Sequence, residues 1–245
     1  RKTWLLMTTF LVIVVAIGFL ISKYYGNPNI LYGFVIFSIA MNIVSYWYSD
    51  KIALSLAKAH IATREQYFDL YTIVENLAIT AGLPTPRVYV IEDPSPNAFA
   101  TGRDKKHAVI AVTTGLLSIM NKTELEGVIA HEMSHIGNRD MLVATVAVVL
   151  AGFVSIVSDM FMRSIMFGGS HDDDNRGGGV LAIVGIILAI FAPLFAALLQ
   201  FAISRKREYL ADASGSLLTR YPEGLASALE KISQYGRPMR VQSKA

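Results

Sequence analysis

Residues 4–22 read WLLMTTFLVIVVAIGFLIS, an apolar run that contains no charged side chain. A helix needs about 20 such residues, at a rise of about 1.5 Å each, to cross the hydrocarbon core of a membrane. The run is longer than the apolar part of a typical signal peptide, and no small-residue cleavage site follows it in residues 23–26. The pattern therefore favours an uncleaved transmembrane helix over a cleaved signal.

Three later segments share this length and apolar character: residues 30–48, 141–161 and 180–203. The first of them ends in Tyr46, Trp47 and Tyr48, and such aromatic clusters are typical of the membrane–water interface. Only 17% of the residues are charged, below the roughly 25% of soluble domains. We therefore expect an α-helical, multi-pass membrane protein with four transmembrane helices.

The basic residues predict how these helices are oriented. If the N-terminus, residues 49–140 and residues 204–245 share one side of the membrane, that side holds all but three of the 22 Lys and Arg residues. The positive-inside rule places this side in the cytoplasm. The chain is then organised as two N-terminal spans (1–48), a first cytoplasmic segment (49–140), a transmembrane hairpin (141–203) and a second cytoplasmic segment (204–245).

The first cytoplasmic segment has the patterns of a small α+β domain. Thr63 and Gln66 have the spacing of a capping box, and the apolar residues after them recur at helical intervals until Gly82 and Pro84 end the helix. Three short runs then read as the strands of a small antiparallel sheet, at residues 87–91, 98–101 and 108–112.

The last helix of this segment carries the residues that point to chemistry. Thr123 and Glu126 have the spacing of a capping box at its start, and the helix is expected to continue through Ile136. It contains the sequence His131-Glu132-Met133-Ser134-His135, which places its two histidines one turn apart on the same face.

Two histidines at this spacing can bind one zinc ion. Their imidazole nitrogens can reach a common point at about 2.0–2.1 Å, and Glu132 lies beside it as a general base, as in metalloprotease helices. The alternative is a surface helix whose two histidines are merely solvated. A catalytic zinc ion has three protein ligands and one open position, so His131 and His135 need a third ligand from elsewhere in the chain.

Glu208 is the candidate for this third ligand. It follows the fourth predicted span, and Asp212 lies on the same helix face, where it can accept a hydrogen bond from a ligand imidazole. Taken alone, the two carboxylates read as a solvated pair that offsets the basic residues 205–207. However, two membrane crossings separate His135 from Glu208, so both residues return to the same membrane face.

Three motifs together resemble the HtpX-type membrane metalloproteases, which are relatives of the CAAX-prenyl endoproteases. The motifs are residues 97–102, residues 131–140 and residues 208–212, and the similarity extends over almost the whole chain. The resemblance implies a gluzincin-like site with one Zn²⁺ per chain. His131, His135 and Glu208 would be its ligands and Glu132 the catalytic residue.

The resemblance also implies a biological role. It predicts an enzyme of the bacterial inner membrane that cleaves misfolded or damaged membrane proteins at the cytoplasmic face, as part of envelope quality control under stress. Its partners would be membrane-protein or unfolded-protein substrates and the lipid bilayer, without nucleic acid, and the oligomeric state stays open. Family members usually continue past the end of this sequence, and part of the substrate cleft or of the transition-state stabilisation is expected there.

A substrate-binding edge is the last feature that the motifs predict. Asn97 is a possible donor to the backbone of a substrate, and Phe99, Ala100 and Thr101 would form an edge strand that pairs with an extended peptide. Alternatively, Asn97 serves only the turn after Pro94-Ser95-Pro96.

Two other functions compete with a protease at the membrane surface. An intramembrane-cleaving protease would carry the histidine motif within an apolar span, but here Thr123, Glu124 and Glu126 precede the motif. A zinc-binding scaffold or holdase without enzymatic activity would need the ligands but not Glu132. The absence of cysteine excludes thiol chemistry and disulfides within this sequence.

Overall fold

The computed structural model describes residues 2–150, 152 and 205–235. It begins with two long helices, α1 (Lys2–Tyr25) and α2 (Pro28–Leu56). Both are long and apolar enough to cross a membrane, as the sequence predicts. The third predicted span is helical over Met141–Leu150 (α6), whereas its remainder and the whole fourth span lie outside the described residues.

The turn between α1 and α2 follows from two residues. Gly26 adopts a φ of +64°, a left-handed conformation that glycine reaches without steric cost. The side-chain oxygen of Asn27 then accepts a hydrogen bond of 3.0 Å from the backbone N–H of Asn29. The chain thereby reverses, and the rings of Trp4 and Tyr46 stack with their centroids 6.3 Å apart.

The first polar segment contains a four-stranded sheet. Its strands are β1 (His60–Ile61), β2 (Arg87–Ile91), β3 (Ala98–Thr101) and β4 (Val109–Thr113), in the spatial order β1-β2-β4-β3. β3 pairs antiparallel with β4, but β2 pairs parallel with β4. The prediction of an antiparallel sheet is therefore wrong, because β4 returns from its hairpin with β3 and inserts beside β2, running in the same direction.

The described polar segments also contain five helices: α3 (Phe68–Ala81), α4 (Thr114–Ile119), α5 (Lys122–Gly137), α7 (Arg205–Thr219) and α8 (Pro222–Tyr235). α3 begins later than predicted, since the Thr63 hydroxyl bonds to the side chain of Gln66 and caps no backbone N–H. Its end is as predicted, with Gly82 in the left-handed conformation.

The capping box of α5 also differs from the prediction. Asn121 caps the helix by accepting from the backbone N–H of Glu124, whose carboxylate accepts from the N–H of Asn121 in return. The predicted pair, Thr123 and Glu126, has the same spacing but lies within the first turns of the helix. The end of α5 at Gly137, with Asn138 as the cap, agrees with the prediction.

α5 is held in place by the main hydrophobic core. Ile129, Met133 and Ile136 on α5 are fully buried, and they pack in one cluster with residues of α3 and of the sheet such as Val74 and Ile110. Burying side chains of this size stabilises the fold by roughly 1.5–3 kcal/mol each. The core thus fixes one face of α5, and the face with His131 and His135 is only partly buried.

The described site residues belong to one compact unit. This unit comprises Trp47–Thr145 and Ile203–Ala245, and a second unit comprises Arg1–Tyr46 and Val146–Ala202. The two polar segments of the sequence are therefore parts of one folded body.

Candidate active site

α5 presents its two histidines to a common point. The Nε2 atoms of His131 and His135 lie 3.3 Å apart, and the two rings are nearly perpendicular, with an interplanar angle of 84°. Their side chains are mostly enclosed, with 17% and 15% of their surface exposed. Two ring nitrogens that converge in this way can donate their lone pairs to one metal ion.

α7 supplies a carboxylate at the same point. Oε2 of Glu208 lies 3.6 Å from the Nε2 atom of each histidine. Bonds of about 2.0–2.1 Å at the tetrahedral angle place two zinc ligands about 3.3–3.4 Å apart. The triangle of donor atoms from His131, His135 and Glu208 matches this spacing, so the residues present fit a zinc ion.

α7 can approach α5 this closely because residue 215 is a glycine. A Cβ atom at Gly215 would lie 3.0 Å from the backbone nitrogen of His131 and 3.2 Å from its Cα atom. Any larger side chain would push the two helices apart. The sequence gives no local signal for this contact, since Gly215 lies in the interior of a helix without a turn or cap.

Glu132 points toward the sheet. Its Oε2 atom accepts a hydrogen bond of 2.8 Å from the backbone N–H of Ala100 on β3. Burial raises the pKa of Glu132 to about 8; the Ala100 N–H opposes this rise and the Glu208 carboxylate adds to it. A carboxyl group with a pKa near neutrality can both take and give a proton under physiological conditions.

Asp212 approaches the ring of His131 from behind. Its Oδ1 atom lies 2.9 Å from Nδ1 of His131, although the two groups do not meet hydrogen-bond geometry and Nδ1 has no other described partner. The structure thus brings Asp212, one helical turn after Glu208, beside the imidazole of His131, as predicted. A small rotation of either side chain would complete the hydrogen bond.

His135 has a corresponding carboxylate that the sequence analysis missed. Asp140 lies 3.7 Å from Nδ1 of His135 and 3.8 Å from Nε of the buried Arg207. Burial and the neighbouring His131 keep the pKa of His135 below its usual range, against the opposing effect of the carboxylates of Glu208 and Asp140. A lowered pKa favours the neutral imidazole, which is the form that binds metals.

The sequence pattern does not predict the position of Asp140 because the chain reverses after α5. Helical spacing ends at Asn138, and Arg139 then adopts a φ of +60°. This residue turns the chain back, and the backbone N–H of Asp140 bonds to the carbonyl oxygen of His135 at 3.0 Å. No periodicity in the sequence predicts such a reversal.

A second network fixes the start of α5 to α8. The Glu124 carboxylate accepts hydrogen bonds of 2.6 Å from both Lys231 and Ser227. Lys231 and Ser227 lower the pKa of Glu124 to about 2, together with the N–H of Asn121 and against the effect of burial. α8 also packs closely here, since a Cβ atom at Gly127 would lie 2.6 Å from the backbone nitrogen of Leu225.

β3 lies at the edge of the sheet, beside α5. Of the predicted substrate-binding residues, Phe99 and Thr101 are in register with Ala111 and Val109 of β4, and Asn97 pairs with Thr113 in the same register. Alternate residues of an edge strand turn their backbone groups outward. The backbone N–H and carbonyl groups of Ala98 and Ala100 therefore point away from β4, and the N–H of Ala100 reaches Glu132.

The side chains of this edge strand pack on the body of the protein. Phe99 packs against a small cluster that includes Leu54 and Val109, on the face of the sheet opposite to α5. Thr101 is buried, and its hydroxyl bonds to that of Thr145 at 2.9 Å. The side chains of Phe99 and Thr101 are thus engaged with the body of the protein.

Comparison with known proteins identifies a peptidase family and similar proteases. Residues 64–243 match peptidase family M48. A protease HtpX homolog from Thermoanaerobacter pseudethanolicus is 49% identical over 251 residues, which cover the whole chain and 84% of that protein. A homolog of the same name from Thermococcus kodakarensis is 47% identical over 241 residues, covering 98% of the chain and 81% of that protein.

A solved structure has a similar fold. The crystal structure of Ste24p from S. mikatae aligns with a TM-score of 0.53 and 18% sequence identity over 95% of the chain. The chain spans only 56% of the length of that protein. At this identity the comparison concerns the fold alone.

Proposed function

Because this chain belongs to peptidase family M48 and is a zinc metalloendopeptidase, we propose that His131, His135 and Glu208 bind its zinc ion and that Glu132 is the general base. The observation that carries the proposal is the triangle of donor atoms, with sides of 3.3, 3.6 and 3.6 Å. When bound, zinc supplies Lewis acidity to the site, acidifying water and polarising a carbonyl group.

The proton moves through Glu132. Its Oε2 atom is held by the N–H of Ala100, so Oε1 is the atom that takes the proton from the attacking water. The same carboxyl group then gives the proton to the leaving amine of the cleaved peptide bond. Asp212 and Asp140 orient His131 and His135 from behind, and ligands oriented in this way hold a metal more tightly.

The substrate binds as an added strand along β3. The outward-facing N–H and carbonyl groups of Ala98 and the carbonyl oxygen of Ala100, whose N–H is bonded to Glu132, pair with an extended peptide, as exposed sheet edges do in other peptide-binding proteins. Asn97 would contribute at the start of this strand, whereas the buried Thr101 would support its end from within through its bond to Thr145. Because backbone pairing does not depend on side chains, this mode suits an enzyme that accepts many unfolded sequences.

The enzyme acts at a membrane. Its N-terminal helices of 23 and 29 residues are apolar enough to span one, and the excess of basic residues in the polar segments supports their cytoplasmic location. We propose that the chain crosses a bacterial inner membrane four times, with its segments divided at residues 48, 140 and 203. Substrates are misfolded or damaged membrane proteins, whose unfolded segments can extend along β3, as part of the response to envelope stress.

A matched pair of variants tests the proposal. The full chain in detergent is stripped of metal, reloaded with zinc and incubated with an unfolded model substrate, beside Glu132→Gln and Glu126→Gln. Glu126 is on the same helix but outside the candidate site. We expect about one zinc per chain in all three proteins and cleavage by the parent and Glu126→Gln alone.

Other results would point elsewhere. Zinc binding without cleavage by the parent would favour a zinc-binding scaffold over an enzyme. Unchanged zinc content after replacement of Glu208 and both histidines with alanine would refute the ligand assignment. Cleavage by Glu132→Gln at the parental rate would refute the role of Glu132.

A further inference from the structure

A basic side chain on the β3–β4 turn contacts the C-terminal half of α2. The guanidinium of Arg103 lies 5.0 Å from the ring centroid of Trp47, which is about half exposed. Trp47 belongs to the aromatic triplet that ends the apolar run of α2. Tryptophan at such a position marks the level of the lipid headgroups, so Arg103 is held at this level.

The turn that carries Arg103 has a fixed shape. Asp104 accepts hydrogen bonds from the backbone N–H groups of Lys106 and His107 and caps a short 3₁₀ helix at Lys105–His107. Gly102 adopts a φ of +139°, and a Cβ atom there would lie 2.5 Å from the carbonyl oxygen of His107. The turn therefore presents Lys105 and Lys106 from an ordered backbone.

The cations around this turn outnumber the anions. Of the nearby carboxylates, Asp50 is mostly buried and pairs with Arg87, and Asp104 is engaged by Arg103 and His107. Three lysines in the described chain have no carboxylate partner here: Lys51, which follows Trp47 by one turn of α2, and Lys105 and Lys106 on the turn. Lys51 and Lys106 are exposed, and Lys105 is partly buried.

We propose that Lys51, Arg103, Lys105 and Lys106 form a binding surface for anionic lipid headgroups, which docks the edge of the sheet that carries β3 on the membrane. This surface depends on the proposed location of the protein in a membrane. Lipid phosphates supply the negative charge that is missing beside these three lysines in the described part of the chain, and lysines next to a membrane span bind anionic lipid surfaces. Since Ala98 and Ala100 lie on the strand that leads into this turn, lipid binding would fix the substrate edge close to the bilayer.

Lipid quenching of Trp47 tests this surface. The chain has two tryptophans, so Trp4→Phe leaves Trp47 as the only one. The full chain is reconstituted in phosphatidylcholine bilayers that contain equal fractions of either brominated phosphatidylglycerol or brominated phosphatidylcholine. We expect phosphatidylglycerol to bind near Trp47 about five-fold more strongly than phosphatidylcholine, because one basic side chain beside an anionic headgroup contributes about 1 kcal/mol. This preference should weaken in high salt.

Three variants in the Trp4→Phe background complete the test. Replacing Lys51, Lys105 and Lys106 together with glutamine should abolish the preference, and replacing them with arginine should retain it. Lys122→Gln with Arg220→Gln removes two exposed cations near the start of α5 and α8, and should leave it unchanged. All variants are compared only where their unfolding temperatures agree with that of the parent.

The outcomes separate this proposal from the membrane location itself. Equal quenching by both lipids in the parent, or an unchanged preference in the triple glutamine variant, would overturn the lipid-binding surface while leaving the membrane location intact. Absence of quenching by either lipid would place Trp47 away from the bilayer and overturn both.

Discussion

Gly215 controls how closely the helix with Glu208 approaches the helix with His131. In Gly215→Ala, the new Cβ atom would lie 3.0 Å from the backbone nitrogen of His131 and 3.2 Å from the carbonyl carbon of Ala130. Carbon atoms pack best about 3.5–4.0 Å apart. α7 must therefore move away from α5 by a few tenths of an ångström, and Glu208 moves with Gly215 because both lie on one rigid helix.

This movement affects the zinc site more than the fold. Metal–ligand distances tolerate changes of only about 0.2 Å, so we expect the zinc affinity to fall by about ten-fold or more, as with other losses of ligand positioning. The overpacking costs about 1–3 kcal/mol, but alanine gains about 1 kcal/mol over glycine in a helix. The free energy of unfolding should thus fall by only about 0–2 kcal/mol.

Competition with a chromophoric zinc chelator measures the affinity of the metal-stripped protein. Gly137→Ala is the matched control, since a Cβ atom there would meet only the Leu83 side chain at 3.9 Å, and it should bind zinc like the parent. If Gly215→Ala binds zinc within about two-fold of the parent, less than 0.5 kcal/mol, the close approach at Gly215 does not set the donor triangle and the reasoning fails.

Three further changes test other parts of the site. Glu124→Gln should lower the free energy of unfolding at neutral pH by about 1–2 kcal/mol, a value reduced because its lysine partner is 42% exposed. Since the folded-state pKa of Glu124 is lowered from 4.5 to about 2, its contribution is present above pH 4.5 and lost as the pH falls toward 2. Denaturant unfolding at several pH values should show the difference between parent and variant closing over that range. Asp140→Asn should weaken zinc binding by about ten-fold or more in the same chelator assay, whereas Asp104→Asn, on the β3–β4 turn, should not. Ala100→Pro removes the backbone N–H that holds Glu132. Proline is tolerated at this position because the N–H of Ala100 points outward from an edge strand. The variant should lower kcat by about ten-fold with zinc content unchanged.

The sequence predicts the elements of this fold better than their arrangement. Helices and strands follow from the local spacing of apolar residues, and the bounds of β2 and β3 agree with the prediction. The start of α5 shows the limit of local reasoning. Asn121 with Glu124 and Thr123 with Glu126 have the same spacing, and what favours the first pair is the contact of Glu124 with Lys231, more than 100 residues later.

The direction of β4 is a second case of the same limit. A hairpin between β3 and β4 follows from the short turn between them. The pairing of β4 with β2 depends instead on how the segment between residues 91 and 98 passes the C-terminal end of β4 to reach the position of β3. Parallel pairing places the ends of β2 and β4 side by side, where Thr113 bonds to Ser95 and Asn97. These bonds anchor the start of β3 and so position Ala100 beside Glu132.

The candidate site combines residues that the local sequence predicts with residues that only long-range contacts position. The histidines and Glu132 are evident from spacing within one helix, and Glu208 follows from an argument about membrane topology, because the second helix must return to the same face. Asp140, Gly215 and the N–H of Ala100 lack such signals, since they act through a chain reversal, a close helix contact and a backbone group. Side-chain chemistry can therefore be predicted from residue types, whereas the sub-ångström positioning of that chemistry depends on contacts that only the folded chain creates.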